Sequence, residues 1–136
     1  AVDHTDAISM SRRLTGRGLS IQSWNLAPKI KALDELINPQ RQSVVHESHP
    51  ELAFTRIAGT PMTHNKRRRE GREERLRALG LRGIDELPAR PGGAAIDDLI
   101  DAMVLSHTAA ALVDGTAWVL GDGVVDVRGL RMEICG

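Results

Sequence analysis

The sequence predicts an α/β domain that is rich in helix and contains few strands. Two stretches carry apolar residues at helical spacing, one from Ile21 to about Leu36 and one from Ala94 to Val113. Short apolar and β-branched runs at Ser43–Glu47, Trp118–Leu120 and Leu130–Ile134 favour strands. Helices therefore dominate, and the strands are too short and too few for a large sheet.

Capping residues indicate where the remaining helices begin and end. Thr5–Leu14 is expected to form a short helix that a glycine pair terminates. Pro28 lacks a backbone N–H, so we expect it to kink or split the second helix. Pro50 at a first helical position predicts a helix to about Ala58, and Arg69–Leu79 predicts another with its charged residues outside. At 136 residues, the chain suits a single domain over 1–136.

Composition narrows the class of protein. Hydrophobic residues make up 41% and charged residues 26%, as in soluble globular domains. The three aromatic residues, Trp24, Phe54 and Trp118, are too few for binding by base stacking. No apolar run is long enough to span a membrane, so no membrane partner is expected. A single cysteine, Cys135, allows no internal disulfide and predicts a cytoplasmic location.

Charge is balanced overall but unevenly distributed along the chain. Formal net charge is zero, yet Lys66–Arg77 holds seven basic and three acidic residues. Basic side chains oppose the dipole at a helix N-terminus, which suggests another role for them. Lys66, Arg67 and Arg68 are therefore candidate phosphate-binding residues, and nucleic acid is a candidate partner. The alternative is an ordinary solvated charge run.

Acidic residues supply candidate metal ligands. Glu47 ends the predicted strand, and Asp97, Asp98 and Asp101 lie near the start of the last helix. Asp101 shares a face with the other two aspartates, and a divalent cation would relieve their mutual repulsion. A strand-end glutamate and helix-borne aspartates are the parts of a two-metal phosphodiester site that binds Mg²⁺ or Mn²⁺. The alternatives are an exposed strand-end carboxylate and ordinary helix-capping acids.

Two histidines bracket Glu47. The spacing of His46 and His49 does not match the helical zinc-protease pattern, which makes a zinc site an unfavoured alternative. His49 is expected to cap or orient the turn before Pro50, and it could assist Glu47. No phosphate-binding glycine loop and no nucleophile-elbow motif occurs in the sequence.

Together these motifs resemble one family, the RNase H-like predicted nucleases of domain-of-unknown-function family 429 (DUF429). The segments that carry the resemblance follow one another over nearly the whole chain. They are Gly18–Trp24, Pro28–Ile30, Glu47–Glu51 with Phe54, Lys66–Arg67, Glu70–Arg72, Glu74–Arg75, Asp97–Ala102 and Gly129–Ile134.

The resemblance implies a partial RNase H-like fold and metal-dependent phosphodiester hydrolysis. It implies that Glu47, Asp98 and Asp101 are catalytic, that Asp97 joins them as a metal ligand, and that His49 and Glu51 support them. Such folds begin with a three-stranded antiparallel unit that carries a leading Asp, and no strand run precedes Ser43 here. We therefore expect this chain to be the C-terminal part of a longer protein.

A missing first unit would leave strand edges and an apolar helix face uncovered. Uncovered strand edges template pairing with another segment. The sequence thus predicts a homo-oligomer, or a complex with the missing N-terminal segment, and weak or absent nuclease activity for this chain alone. The alternative function is a non-catalytic binding or assembly module that retains the family fold.

Overall fold

A computed structural model describes residues 3–136, and its contacts group into two compact units divided between Arg41 and Gln42. The described residues form five α-helices and two short strands, none of them a helix both long and apolar enough to cross a membrane. The elements are α1 (His4–Thr15), α2 (Ile21–Leu36), α3 (Pro50–Ala58), α4 (Arg69–Ala78), α5 (Ile96–Val113), β1 (Val119–Leu120) and β2 (Ile134–Cys135). Single 3₁₀ turns occur at Arg41–Ser43 and Ile84–Glu86.

The first unit consists of α1 and α2. The Asp3 carboxylate accepts a hydrogen bond from the Asp6 N–H at 2.9 Å and so caps α1. His4 links the helices, because its Nε2 lies 3.0 Å from the carbonyl oxygen of Leu19 and its ring centroid lies 6.1 Å from that of Trp24. This unit is therefore held by a few polar and ring contacts rather than by a large core.

Helix α2 continues past its proline. Ser20 caps it by accepting the Ser23 N–H at 3.0 Å. Pro28 lies inside one uninterrupted helix, so of the two expected outcomes, a kink or a split, the split is wrong. Only the hydrogen bond to the Trp24 carbonyl is missing, and the bonds on either side suffice to continue the helix.

The core of the second unit lies among α3, α4 and α5. Its buried members are Phe54 and Ala53 from α3, Leu76 from α4, and Ile100 and Val104 from α5. Full burial of an aliphatic or aromatic side chain of this size stabilises the fold by about 1.5–3 kcal/mol. The core is mainly aliphatic, as the scarcity of aromatic residues predicts.

Local signals account for the limits of α3. Pro50 occupies the first turn, and His49 Nδ1 accepts the Glu51 N–H at 3.2 Å. Gly59 ends the helix with φ of 75°, a left-handed conformation that glycine adopts without strain. The predicted bounds of α3 and the capping role of His49 are therefore confirmed.

Helix α5 buries one stripe rather than its whole surface. Its buried residues recur every three or four positions, at Ile100, Val104, Thr108 and Ala111. Val113, by contrast, is 88% exposed. Only this stripe is buried, because the two partner helices cover a single side of α5.

The predicted strand at Ser43–Glu47 does not form. Its first residue belongs to a 3₁₀ turn, and among residues 3–136 the ladder contact next to it is a parallel bridge between Ser48 and Cys135. Val44 is 78% exposed. A β-branched run becomes a strand only where it has a partner along its length, and β2 is just two residues long.

Of the two late strands, β1 lies inside the predicted Trp118–Leu120 strand, whereas β2 shares only Ile134 with the predicted Leu130–Ile134 strand. β1 pairs antiparallel with β2, with Val119 opposite Cys135 and Leu120 opposite Ile134. On its other side, Cys135 donates its N–H to the Glu47 carbonyl at 2.8 Å. The chain end thus joins β1 to the segment that leads into α3.

Gly71 marks a close approach between α4 and the loop before it. A Cβ atom placed on Gly71 would lie 2.1 Å from the Asn65 carbonyl oxygen. That distance is far inside van der Waals contact, and the obstacle is backbone, which cannot rotate away. Only glycine fits this position.

Gly71→Ala is expected to destabilise the protein by about 3 kcal/mol, because the new methyl group forces α4 away from the loop. Urea denaturation measures the effect. Gly92→Ala is the matched control, because a Cβ there meets nothing within 4 Å, and its change should stay within about 0.5 kcal/mol. Equal stability of the two variants would contradict the close approach.

Candidate functional site

A buried arginine organises the region around the basic segment. Arg75 is only 3% exposed, and its Nη2 donates to both carboxylate oxygens of Glu51 at 2.8 Å. Its Nη1 donates to the carbonyl oxygens of His64 at 3.0 Å and Gly71 at 2.8 Å. The guanidinium carbon lies 5.6 Å from the ring centroid of Phe54. One side chain thus connects α3, α4 and the loop between them.

The Glu74 side chain fixes the same loop by accepting hydrogen bonds from the backbone of the loop. Its Oε1 accepts hydrogen bonds from the Thr63 N–H and hydroxyl, both at 2.8 Å, and its Oε2 accepts the His64 N–H at 3.0 Å. The backbone hydrogen bond from Thr63, followed by that from His64, lowers the pKa of Glu74 to about 2 against the opposing effect of burial. The carboxylate therefore stays ionised over nearly the whole pH range.

The loop delivers Lys66 to the start of α5. The Lys66 ammonium pairs with Asp101 Oδ2, and the two side chains are 37% and 17% exposed. Asp101 Oδ1 is buried and makes no hydrogen bond within the described residues. Asp101 therefore has one carboxylate oxygen paired with a cation and a second oxygen that is still able to accept a hydrogen bond or bind a cation.

Two of the other carboxylates predicted for the metal site, those of Asp98 and Glu51, make different contacts. Asp98 Oδ2 accepts the Ala95 N–H at 3.0 Å, which caps α5. Asp97 is half-buried in the first turn, and Glu47 is exposed. Glu51, expected to support a metal ligand, is instead the partner of Arg75.

These placements can be tested against the metal that the resemblance implies. Across residues 3–136, no three His, Cys, Asp or Glu side chains come together as a group that could hold a metal ion. The unbonded Asp101 oxygen suits one ligand of a hard cation. The described residues therefore supply one metal-coordinating group, Asp101, rather than a complete two-metal site. Binding of Mg²⁺ or Mn²⁺ stays a prediction.

The basic segment divides into two parts. Lys66 is paired with Asp101, whereas the side chains of Arg67 and Arg68 are exposed and make no hydrogen bond or ion pair with the described residues. Asn65 holds their backbone, because its Oδ1 accepts the Arg67 N–H and its carbonyl oxygen accepts the Arg68 N–H, both at 2.9 Å. Two guanidinium groups thus project from a fixed stretch of backbone.

Sequence reasoning placed the α4 charges outside and so missed Arg75. One signal could have found it. A glycine inside a helix costs about 1 kcal/mol relative to alanine unless close packing requires it. Gly71 lies one turn before Arg75, so it marks the helix face that approaches other backbone and on which a buried arginine could find carbonyl acceptors.

Arg75→Met should lower the free energy of unfolding by about 3 kcal/mol, because it leaves Glu51 and the His64 carbonyl without their donor. Chemical denaturation followed by circular dichroism measures the change. Arg67→Met is the matched control, since Arg67 is exposed, and should cost less than about 0.5 kcal/mol. Similar losses in both variants would contradict the organising role of Arg75.

Glu74 should make stability depend on acidity. Its pKa is lower in the folded protein, at about 2, than its ordinary value of 4.5. The ionised carboxylate therefore stabilises the fold above about pH 4.5, and this contribution is lost as pH falls toward about 2. Glu74→Gln should flatten the pH dependence of the unfolding free energy in that window.

The control for that measurement is Glu70→Gln, at an exposed position on the same helix. It should leave the acid branch of the stability curve close to that of the wild type. An acid branch that Glu74→Gln does not alter would show that the loop hydrogen bonds do not depend on the charge.

Comparison with known proteins identifies the family but no function. Neither the curated proteins nor the solved structures include a significant match to the chain. Residues 1–124 match the profile of the family described as "Protein of unknown function (DUF429)". Since the match covers most of the 136 residues, the chain belongs to the DUF429 family.

Proposed function

We propose that this chain acts on nucleic acid as a metal-dependent nuclease of the RNase H type and binds the phosphodiester backbone with Arg67 and Arg68. The observation that carries the proposal is the basic loop, Lys66–Arg68, whose backbone is held in place beside Asp101. Glu74 and Arg75 hold the loop backbone, and Lys66 connects it to α5. Cations on a fixed backbone lose less conformational entropy on binding than cations on a mobile loop.

The start of α4 adds to the attraction for phosphates. Arg68 precedes the helix and makes no side-chain capping bond. The first N–H groups of α4 therefore lack a side-chain acceptor, and they point positive partial charge toward the loop. A phosphate group would offset both this dipole and the neighbouring arginines.

Asp101 is the described carboxylate best suited to a metal ligand in this proposal. Mg²⁺ or Mn²⁺, when bound, would supply the activation of water for phosphodiester hydrolysis. Lys66 already occupies one oxygen of Asp101, and the described residues contain no complete ligand group. We therefore assign Asp101 a binding role and assign no hydrolytic step to Glu47, Asp97 or Asp98.

That incomplete ligand group favours a second candidate function. A non-catalytic nucleic-acid-binding module would need the clamped basic loop but no metal. In such a module, Lys66 and Asp101 would serve to connect the loop to α5. The two functions share the binding surface and differ only in cleavage.

Binding of a fluorescein-labelled single-stranded oligonucleotide, measured by anisotropy over a range of salt concentrations, tests the shared part. Arg67→Gln with Arg68→Gln should weaken binding and reduce the slope of log affinity against log salt by about 1.4, since each phosphate contact contributes about 0.7. Arg13→Gln with Arg90→Gln removes the same charge elsewhere and is the control. Equal slopes in the two double variants would contradict the assigned surface.

Cleavage of the same oligonucleotide in Mn²⁺ separates the two functions. If the chain is a nuclease, Asp101→Asn should abolish cleavage, while the salt slope that Arg67 and Arg68 set should remain. Salt-dependent binding without cleavage by the wild type would support the non-catalytic module and rule out nuclease action by this chain.

A further inference from the structure

A cavity beside α4 is not used by the basic loop. It has a volume of about 630 Å³ and lies between one face of α4 and residues 82–85. Such a volume falls within the range of about 300–1,000 Å³ typical of small-molecule sites. The cavity is therefore large enough for a ligand the size of a nucleotide.

Arginines dominate its lining. Arg69, Arg72, Arg77 and Arg82 surround the cavity, together with Glu73 and Asp85, which leaves two formal positive charges in excess. Glu73 is already taken, since it accepts the Arg69 Nε–H at 2.7 Å.

The other three arginines keep their binding capacity. Within the described part of the chain, the side chains of Arg72, Arg77 and Arg82 make no hydrogen bond or ion pair. The hydrogen bond with Arg69 and the Arg69 charge lower the pKa of Glu73, and the charge of Arg77 adds a smaller effect in the same direction. Three guanidinium groups around one cavity repel each other, and an anion with several acceptor oxygens would relieve that repulsion.

The wall of the cavity is partly apolar. Ile84 lines the cavity and is 53% exposed, so its apolar side chain is accessible to a ligand, whereas Leu76, which also lines the cavity, is buried in the core. A small inorganic anion would leave that apolar surface wet. A ligand that combines a phosphate with an uncharged body would use both the guanidinium donors and the apolar wall.

We propose that this cavity binds a phosphate monoester carried on a nucleoside-sized body. Arg72 and Arg82 hold the phosphate by charge-assisted hydrogen bonds, and Ile84 contacts the uncharged part. The phosphate can belong to a free nucleotide or to the 5′ end of a nucleic-acid strand. The site does not depend on the nuclease proposal, because it uses neither Asp101 nor the basic loop.

Isothermal titration with adenosine 5′-monophosphate, and with adenosine as the ligand control, tests the site. The monophosphate should bind at least about tenfold more tightly than adenosine. Arg72→Gln with Arg82→Gln should remove about tenfold of that affinity. Arg13→Gln with Arg90→Gln, the charge-matched control, should change the affinity by less than about twofold.

A measurement on the wild type keeps the test independent of any variant. In nuclear magnetic resonance titrations, the amide signals of Arg72 and Gly83 should shift with the monophosphate, while that of Gly92 should not. A tetranucleotide with a 5′-phosphate, compared with its 5′-hydroxyl form, distinguishes a strand end from a free nucleotide as the source of the phosphate. Equal binding of adenosine and its monophosphate, or equal losses in the two double variants, would overturn the proposal.

Discussion

The guanidinium group of Arg75 is the constraint on which the second unit depends. A buried cation costs several kcal/mol unless its donors are satisfied, and Arg75 meets this demand with Glu51 and two backbone carbonyls. A lysine could not replace it, because a single ammonium cannot face a carboxylate side-on and reach two carbonyls in one plane. Gly71 is part of the same solution, since α4 must approach the loop closely for Arg75 to reach the His64 carbonyl. Breaking any of these contacts leaves a buried polar group without its partner.

The position of the basic loop at the candidate site depends on these Arg75 contacts. Arg75 and Glu74 hold the backbone at Thr63 and His64, and Lys66 follows two residues after His64, so its position depends on this fixed backbone. Lys66 in turn reaches Asp101, thirty-five positions later in the chain. The loop is thus connected to all three helices of the second unit, although none of its own residues belongs to a helix. A rigid basic loop can select a phosphate spacing, which a mobile charge run cannot do.

Several acidic groups in this unit pair with individual donors and do not cluster with one another. Glu51, Glu74 and Asp101 each accept from a specific donor, and Asp98 caps α5. This pairing explains why the acidic residues that attract attention in the sequence form no three-ligand group among residues 3–136. At the two proposed phosphate surfaces, the side chains of Arg67 and Arg68 in the loop, and of Arg72, Arg77 and Arg82 at the cavity, make no hydrogen bond or ion pair with the described residues. Affinity for phosphates is therefore the chemistry that both proposals share.

The sequence by itself determined the features that depend on neighbours within one helical turn. The caps at Ser20 and His49, the first-turn Pro50 and the terminating Gly59 each act on nearby N–H or carbonyl groups, so the bounds of α3 were predictable. Family membership was also predictable, because its motifs recur in order along the chain and the family profile matches residues 1–124. Tertiary structure alone decided which distant partners meet. The run Ser43–Glu47 found no ladder, Arg75 turned inward, and Asp101 received Lys66 instead of other carboxylates. The physical reason is that burial and pairing depend on the path of the whole chain, which local hydrogen-bonding preferences do not specify.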